Sequence, residues 1–152
     1  MPGIVVGVDG SEASRRALAW ASQEATLRRA HLTVLTVHEN PEGHWTGNPL
    51  YYRESGPAQE KAEAAAEDAL TRGGYRGHAS VRSVAGLAAE ELIEASRDAD
   101  LLVVGSRGEG GFSRLLMGSV STQVVHHALC PVVVIPADWQ PPPAAPPPAA
   151  HP

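Results

Sequence analysis

The residues best suited to chemistry lie in a glycine-rich stretch, residues 105–121. Residues 100–104 precede it and form a short apolar run, which predicts a buried strand. After it, Val120, Val124 and Ala128 recur at helical spacing. Glycine lets the backbone approach a ligand closely, and a helix start offers unpaired N–H groups with a partial positive charge. The stretch therefore suits an anion such as phosphate, and a plain surface loop is the alternative.

Two common phosphate-binding motifs are excluded by the residues present. A P-loop needs Gly-x4-Gly-Lys followed by Ser or Thr, whereas Lys61, the only lysine of the chain, lies far from any such loop. A dinucleotide-binding fingerprint would begin at Gly108 and Gly110 but needs a third glycine where Ser113 stands. At the predicted helix start, Ser119 can cap the helix or present its hydroxyl to the same anion.

A second polar turn follows the first apolar run of the chain. Residues 3–8 are short, apolar and rich in β-branched side chains, which predicts a strand buried on both faces. Asp9 and Gly10 end that strand, and Ser11 is a good N-cap for the next helix. The predicted apolar face of that helix consists of Ala17, Trp20, Ala21 and Ala25.

The remaining elements alternate between strand and helix. Further strands are predicted over residues 31–38, 78–84, 100–104 and 130–136, and helices over 58–72, over 88–97 and from Ser119 onward. This alternation predicts an α/β fold, a doubly wound five-stranded parallel sheet with helices on both faces, in the Rossmann-like manner. The third strand is weakly alternating and the fifth is flanked by proline, so both are predicted at or near an edge.

The predicted topology brings the two polar turns together. In doubly wound sheets, ligands bind beyond the carboxyl ends of the strands, at the point where the strand order reverses. The turn at Asp9 and the stretch 105–121 are the two connections best equipped for such a site. We therefore expect them to lie side by side.

Composition bounds the domain organisation and excludes several function classes. The chain has 152 residues, for which we predict one domain over 1–137 and a disordered Pro/Ala-rich tail over 138–152. The net charge of −5 with scattered arginines disfavours a nucleic-acid binder. No apolar stretch reaches the roughly 18 residues of a membrane span, and no signal peptide is evident. With Cys130 as its only cysteine, the chain is expected to be cytoplasmic.

Three features of the sequence resemble the universal stress protein family over residues 3–136. They are the strand end Val8-Asp9-Gly10-Ser11, the signature Gly105-x2-Gly108-x9-Gly118-Ser119, and the closing segment Cys130-Pro131-Val132-Val133-Val134. The glycine signature is the most specific of the three, since it looks like the ATP-binding signature of that family. The resemblance implies the same five-stranded α/β fold.

The resemblance also implies ATP as the ligand and assigns residues to it. Asp9, in the turn with Gly10 and Ser11, would lie near the ribose or a bound Mg²⁺ ion, which is usually held by carboxylate and phosphate oxygens. Val37 would meet adenine through its backbone. The phosphates would be surrounded by Gly105, Arg107, Gly108, Gly118 and Ser119, with N–H groups added by Val120 and Ser121. Read without the resemblance, Asp9 is equally a helix-start residue stabilised by the helix dipole.

The resemblance further implies pairing of two chains through the fifth strand, Val132, Val133, Val134 and Ile135.

A predicted loop over residues 39–57 contains three aromatic residues that either cover a ligand or pack on the core. His126 and His127 fall in the last turn of a helix, which favours a structural role over a metal site. Cys130 is interpreted as a small apolar residue and not as a nucleophile.

Three classes of function are compatible with these patterns. The first is an ATP-binding regulatory protein of the stress response, and it is the one that the glycine signature and Asp9 favour. The second is a slow ATPase or an adenylate-using enzyme on the same scaffold. It lacks an evident catalytic set in the sequence. The third is an interaction module that uses no nucleotide.

Overall fold

In a computed structural model of the protein, the described residues are 3–38, 60, 64, 67–68, 70–71, 75, 77–106 and 117–141. The elements in chain order are β1 (Ile4–Val8), α1 (Glu12–Arg28), β2 (Leu32–His38), β3 (Ala79–Ala85), α2 (Ala88–Ser96), β4 (Leu101–Gly105), α3 (Ser119–His127) and β5 (Val132–Ile135). The predicted loop over 39–57 and most of the helix predicted over 58–72 lie outside the described residues.

The five strands form one parallel sheet in the order β3-β2-β1-β4-β5. Ile4 of β1 lies opposite Leu32 of β2 on one side and opposite Leu101 of β4 on the other. The strand order reverses between β1 and β4, which is the arrangement of a doubly wound sheet. The predicted fold is confirmed, and so are the edge positions of β3 and β5.

The core lies on both faces of the sheet because alternate residues of each central strand point to opposite sides. On one face, α1 packs its alanines and Leu18 against the strands, and the buried strand residues there are Ile4, Val6, Leu32, Val34, Leu101 and Val103. On the other face, Leu92 of α2 and Val124 of α3 pack against Val5, Leu35, Leu102 and Val104. Helices on both faces are therefore confirmed.

Local sequence explains how α1 begins and ends. Ser11 is its N-cap, as predicted, and the hydroxyl oxygen accepts a hydrogen bond from the Ser14 N–H at 3.2 Å. The helix ends at Arg28, and its C-cap, Arg29, takes the left-handed conformation with φ 53°. The N–H of Ala30 then donates to the carbonyl of Ala25 at 2.9 Å, which satisfies a terminal acceptor of the helix.

The strand boundaries differ from the sequence prediction by one or two residues. Gly105 is the last residue of β4 and not the first residue of the loop, because its backbone still pairs with Ile135 of β5. Packing continues past residue 137, the predicted domain end, since Trp139 packs against the core on the α1 face. Residues 142–152 of the predicted tail lie outside the described residues. None of the described helices is both long and apolar enough to cross a membrane.

Thr36 of β2 carries a buried hydroxyl that no neighbour among the described residues satisfies. The residue is 6% exposed, and its Oγ1 has no hydrogen-bond partner among the described residues. It lies opposite Val8 of β1, on the face that also carries Leu32 and Val34. A buried hydroxyl without a partner costs free energy because it has lost its water.

Replacing Thr36 by valine removes that hydroxyl at nearly constant volume. We expect Thr36→Val to raise the free energy of unfolding by about 1 kcal/mol, because no hydrogen bond within the described part of the chain is lost. The measurement is urea unfolding followed by circular dichroism. Thr33→Val is the matched control: Thr33 belongs to the same strand but is half-buried, so its hydroxyl is less desolvated and the gain should be smaller. A lower stability of Thr36→Val would contradict this account.

Candidate functional site

The ends of β1 and β4 meet where the strand order reverses. A Cβ atom added to Gly105 would lie 3.0 Å from the carbonyl oxygen of Ala13, in the first turn of α1. Glycine at position 105 therefore permits a close approach between the end of β4 and the start of α1. The turn at Asp9 and the start of the glycine-rich stretch lie side by side, as predicted.

The turn after β1 is shaped by its own side chain. Asp9 Oδ1 accepts a hydrogen bond from the Ser11 N–H at 2.9 Å, which is the pattern of an Asx-turn. Gly10 adopts φ +86°, a conformation that glycine takes without a steric penalty. A Cβ atom at Gly10 would meet no heavy atom of the described residues within 4 Å. The carboxylate is thus held at the carboxyl end of β1, at the edge of the crevice.

The two ends of the glycine-rich stretch are tied together directly. The Gly118 N–H donates to the carbonyl of Ser106 at 2.7 Å. Ser121 Oγ donates to the same Ser106 carbonyl at 2.9 Å and to the Gly118 carbonyl at 3.0 Å. The Ser106 N–H donates to the carbonyl of Ile135 at 2.9 Å. These bonds place the start of α3 beside the end of β4, and we call the set formed by Ser106, Gly118 and Ser121 the neck.

The N-cap of α3 lies one residue before Ser119, which the sequence offered as a possible cap. Gly118 is the N-cap, with φ −68° and ψ 165°, and Ser119 is the first helical residue with an exposed side chain. The carbonyl oxygen of Gly118 accepts hydrogen bonds from the Ser121 hydroxyl and the Thr122 N–H. Thr122 N–H makes the first intrahelical bond, to Gly118 at 3.0 Å. The N–H groups of Ser119, Val120 and Ser121 consequently have no intrahelical acceptor.

Val37 is the penultimate residue of β2, opposite Val84 of β3. It is half-buried and packs against the core on the α2 and α3 face, as Val120 does. Its strand is the direct neighbour of β1, so the residues assigned to adenine, ribose and phosphate lie on three neighbouring strand ends. Arg107 and Gly108 lie outside the described residues, and their assigned roles stay predictions.

The chemistry of this site comes mainly from backbone groups. Three N–H groups at a helix start, beneath an N-cap that has no side chain, suit an anion. The Asp9 carboxylate suits hydroxyl donors or a hard cation. Among the described residues, no group of three or more His, Cys, Asp or Glu side chains could hold a metal ion. A Mg²⁺ ion at Asp9 would therefore need oxygens from a ligand, and phosphate oxygens fit that need.

Sequence reasoning missed two residues of the site. Ser106 accepts hydrogen bonds through its backbone carbonyl, and the backbone of Ala13 lies close to Gly105, so neither side chain gave a signal. The role of the Ser121 hydroxyl had a detectable signal. Position 121 lies three residues after the N-cap, and side chains at that spacing commonly bond back to the helix start.

Comparison with known proteins agrees with the fold. The sequence model of the universal stress protein family matches residues 2–136. The chain belongs to the universal stress protein family. A universal stress protein of Mycolicibacterium smegmatis is 37% identical over 146 residues, covering 91% of this chain and 49% of that relative. One of Mycobacterium tuberculosis (strain H37Rv) is 36% identical, covering 88% of this chain and 47% of that relative. This chain thus spans about half the length of these relatives.

Solved structures of universal stress proteins resemble the whole domain. The protein UspA from Lactobacillus plantarum superposes with a TM-score of 0.77 at 25% identity, covering 88% of this chain and 97% of that one. A universal stress protein crystallised in complex with cAMP superposes with a TM-score of 0.62 at 29% identity. That match covers 88% of this chain and 95% of the other.

Two other sequence candidates of this universal stress protein lie away from the crevice. His126 and His127 occupy the last turn of α3, as predicted, with ring centroids 6.3 Å apart. Cys130 is half-buried and packs against the core on the α2 and α3 face. Burial raises the pKa of its thiol, and the negative charge of Asp100 adds to the rise, while a hydrogen bond with the Leu102 backbone opposes it. The interpretation of Cys130 as a packing residue is consistent with this environment.

The raised pKa of Cys130 predicts slow alkylation. The thiolate is the reactive form, so at neutral pH iodoacetamide should modify Cys130 several-fold more slowly than it modifies glutathione. The rate should climb as the pH rises toward the elevated pKa. Mass spectrometry over a pH series measures this, with the urea-unfolded protein as the control for the unperturbed thiol. Equal rates for folded and unfolded protein at neutral pH would contradict the prediction.

Proposed function

We propose that this chain is a cytoplasmic, ATP-binding regulatory protein of the stress response. The observation that carries the proposal is the start of α3. Its first three N–H groups have no intrahelical acceptor, and this helix start lies beside the turn of Asp9. The neighbouring solved structure of a universal stress protein in complex with cAMP supports an adenine nucleotide as the ligand class. Regulation by nucleotide then means that occupancy changes the contacts this chain makes with its partners.

The strand order fits the parts of a nucleotide. Strands β2, β1 and β4 are consecutive in the sheet, and neighbouring strands lie about 4.8 Å apart. Adenine would lie at Val37 of β2, the ribose hydroxyls at Asp9 of β1, and the phosphates at Gly105 and the α3 N-terminus. A carboxylate accepts hydrogen bonds from hydroxyl groups, whereas it repels phosphate. Asp9 in the middle of the row therefore suits ribose, or a Mg²⁺ ion that the phosphates share.

Charge at the N-cap tests this proposal without harming the helix. Gly118 has φ −68° and ψ 165°, values that any residue adopts, and Asp and Asn are both good N-caps. We expect Gly118→Asp to weaken ATP binding by on the order of 100-fold, because it places a carboxylate where the phosphates would lie. Gly118→Asn, which has nearly the same shape and no charge, should retain most of the affinity. Isothermal calorimetry with ATP, alongside nucleotide extraction from the purified protein, measures both.

The two variants also separate the competing interpretations. If Gly118→Asp and Gly118→Asn bind ATP with equal affinity, the phosphates do not bind at the start of α3. A parent protein that binds no ATP at millimolar concentration would exclude the proposed function and favour an interaction module. Fast phosphate release by the parent, lost on Asp9→Asn, would favour an enzyme.

We propose in addition that two copies of the chain pair through β5. This strand is a sheet edge whose valines are half-buried, and Val125 and Leu129 nearby are 46% and 58% exposed. The carbonyl of Pro131 accepts a hydrogen bond from the Leu102 N–H of β4, and that of Ile135 accepts one from the Ser106 N–H just after β4. Backbone groups alternate in direction along a strand, so Val132 and Val134 direct theirs away from the sheet. An exposed edge of this kind is a template for a second strand.

Proline at position 134 tests this pairing. Val134→Pro removes an N–H that faces outward, so it should spare the bonds to β4 and abolish pairing of two copies. Val134→Ala is the matched control, since it trims the side chain and keeps the N–H. Light scattering after gel filtration should give monomers for the proline variant and dimers for parent and control. A dimeric proline variant would place the contact elsewhere.

A further inference from the structure

The hydroxyl of Ser121 is used inside the protein. Ser121 is 3% exposed, and its Oγ lies 2.9 Å from the Ser106 carbonyl oxygen and 3.0 Å from the Gly118 carbonyl oxygen. A hydroxyl has one hydrogen, so both carbonyls share a single donor. The side chain is therefore turned back toward the end of β4, under the start of its own helix.

We propose that Ser121 is a positioning residue whose hydroxyl ties the two ends of the neck together and does not itself touch the phosphates. This inference deepens the proposed function, because it rests on an anion bound at the α3 start. The family resemblance assigns only the backbone N–H of Ser121 to the phosphates, whereas this inference gives its side chain a separate role between the two ends of the glycine-rich stretch.

The neck is anchored from the side of the sheet. The Ser106 N–H bonds to the Ile135 carbonyl of β5 at 2.9 Å, which fixes the residue that follows β4. The Ser106 carbonyl then accepts both the Gly118 N–H and the Ser121 hydroxyl. Gly118 carries no side chain that could cap α3, so Ser121 supplies the only side-chain bond that ties this helix start to β4 among the described residues.

This arrangement determines where the free N–H groups point. Ser119, Val120 and Ser121 are the first three residues of α3, and the helix direction there depends on the neck. Without the Ser121 hydroxyl, one bond from Gly118 would remain between the helix start and Ser106. A site made of backbone groups has no side chain that can adjust to a misplaced helix. Loss of the hydroxyl should consequently weaken anion binding from a distance.

Two variants in the first turn of α3 serve as controls for the loss of the Ser121 hydroxyl. Thr122 follows Ser121 directly, is exposed, and makes its structural bond through its N–H group. Removing the Thr122 hydroxyl therefore changes the same helical turn without touching the neck. Ser121→Thr retains a hydroxyl at position 121, and threonine in a helix commonly bonds to the carbonyl three residues earlier. These two variants separate the effect of the neck bond from a general effect on α3.

Limited proteolysis of the nucleotide-free protein tests the neck by itself. Trypsin cleaves after arginine, and Arg107 and Arg114 belong to the segment between the two ends of the neck. We expect Ser121→Ala to be cut there roughly fivefold faster than the parent, as the loss of one hydrogen bond implies. Ser121→Thr and Thr122→Ala should be cut at the parental rate, and cleavage after Arg53, outside the segment, should be equal in all four proteins. Equal rates at Arg107 and Arg114 in Ser121→Ala and the parent would overturn the inference.

Calorimetric titration with ATP then tests the consequence for binding. Ser121→Ala should bind ATP roughly fivefold more weakly than the parent, with Ser121→Thr and Thr122→Ala at the parental affinity. Faster cleavage of Ser121→Ala combined with parental affinity would overturn the positioning role. If the parent itself takes up no ATP, the proposed function fails while the cleavage rates still decide the neck. Should Ser121→Ala not fold, Ser121→Cys replaces it, because a thiol has a similar shape but donates weakly.

Discussion

The pairing of β1 with β4 is the constraint on which the rest of the structure depends. Ile4, Val5 and Val6 lie opposite Leu101, Leu102 and Val103, and this contact reverses the strand order in the middle of the sheet. The two halves then extend in opposite directions, with α1 on one face and α2 and α3 on the other. At the carboxyl ends the connections separate to opposite faces, and a crevice opens between them. The pairing of the apolar central strands thus determines where the polar site lies.

Close packing turns that crevice into a defined site. Gly105 lets the α1 start approach the end of β4, and the neck holds the α3 start on the same strand. The groups offered to an anion at the start of α3 are backbone N–H groups, which do not titrate between pH 5 and 8. Geometry therefore controls this site more than protonation does, since the N–H groups bind an anion only where the helix start directs them.

The sequence predicted the elements better than it predicted their junctions. The apolar runs identified all five strands, and Ser11 identified the start of α1, because hydrophobic periodicity and capping are local signals. The predicted adjacency of the two polar turns followed from general topology. The contacts of Ser106 and Ala13 could not be predicted from the sequence. They involve backbone atoms, which are the same in every residue, and they depend on tertiary packing. Serine is a better N-cap than glycine by preference, so the sequence offered Ser119 as one possible cap, whereas the structure has Gly118 at that position.

The position of Asp9 narrows the kind of anion that this crevice suits. A carboxylate and a phosphate 4 Å apart repel each other by about 1 kcal/mol in bulk water and about 4 kcal/mol near a protein surface. A free phosphate held beside the end of β1 would face that repulsion with no compensation from Asp9. A nucleotide avoids it, because its ribose hydroxyls donate to the carboxylate while its phosphates extend toward the α3 start. A Mg²⁺ ion between carboxylate and phosphate would reverse the sign of the interaction. The acidic turn beside the helix start therefore favours a ligand that is anionic at one end and a hydroxyl donor in the middle.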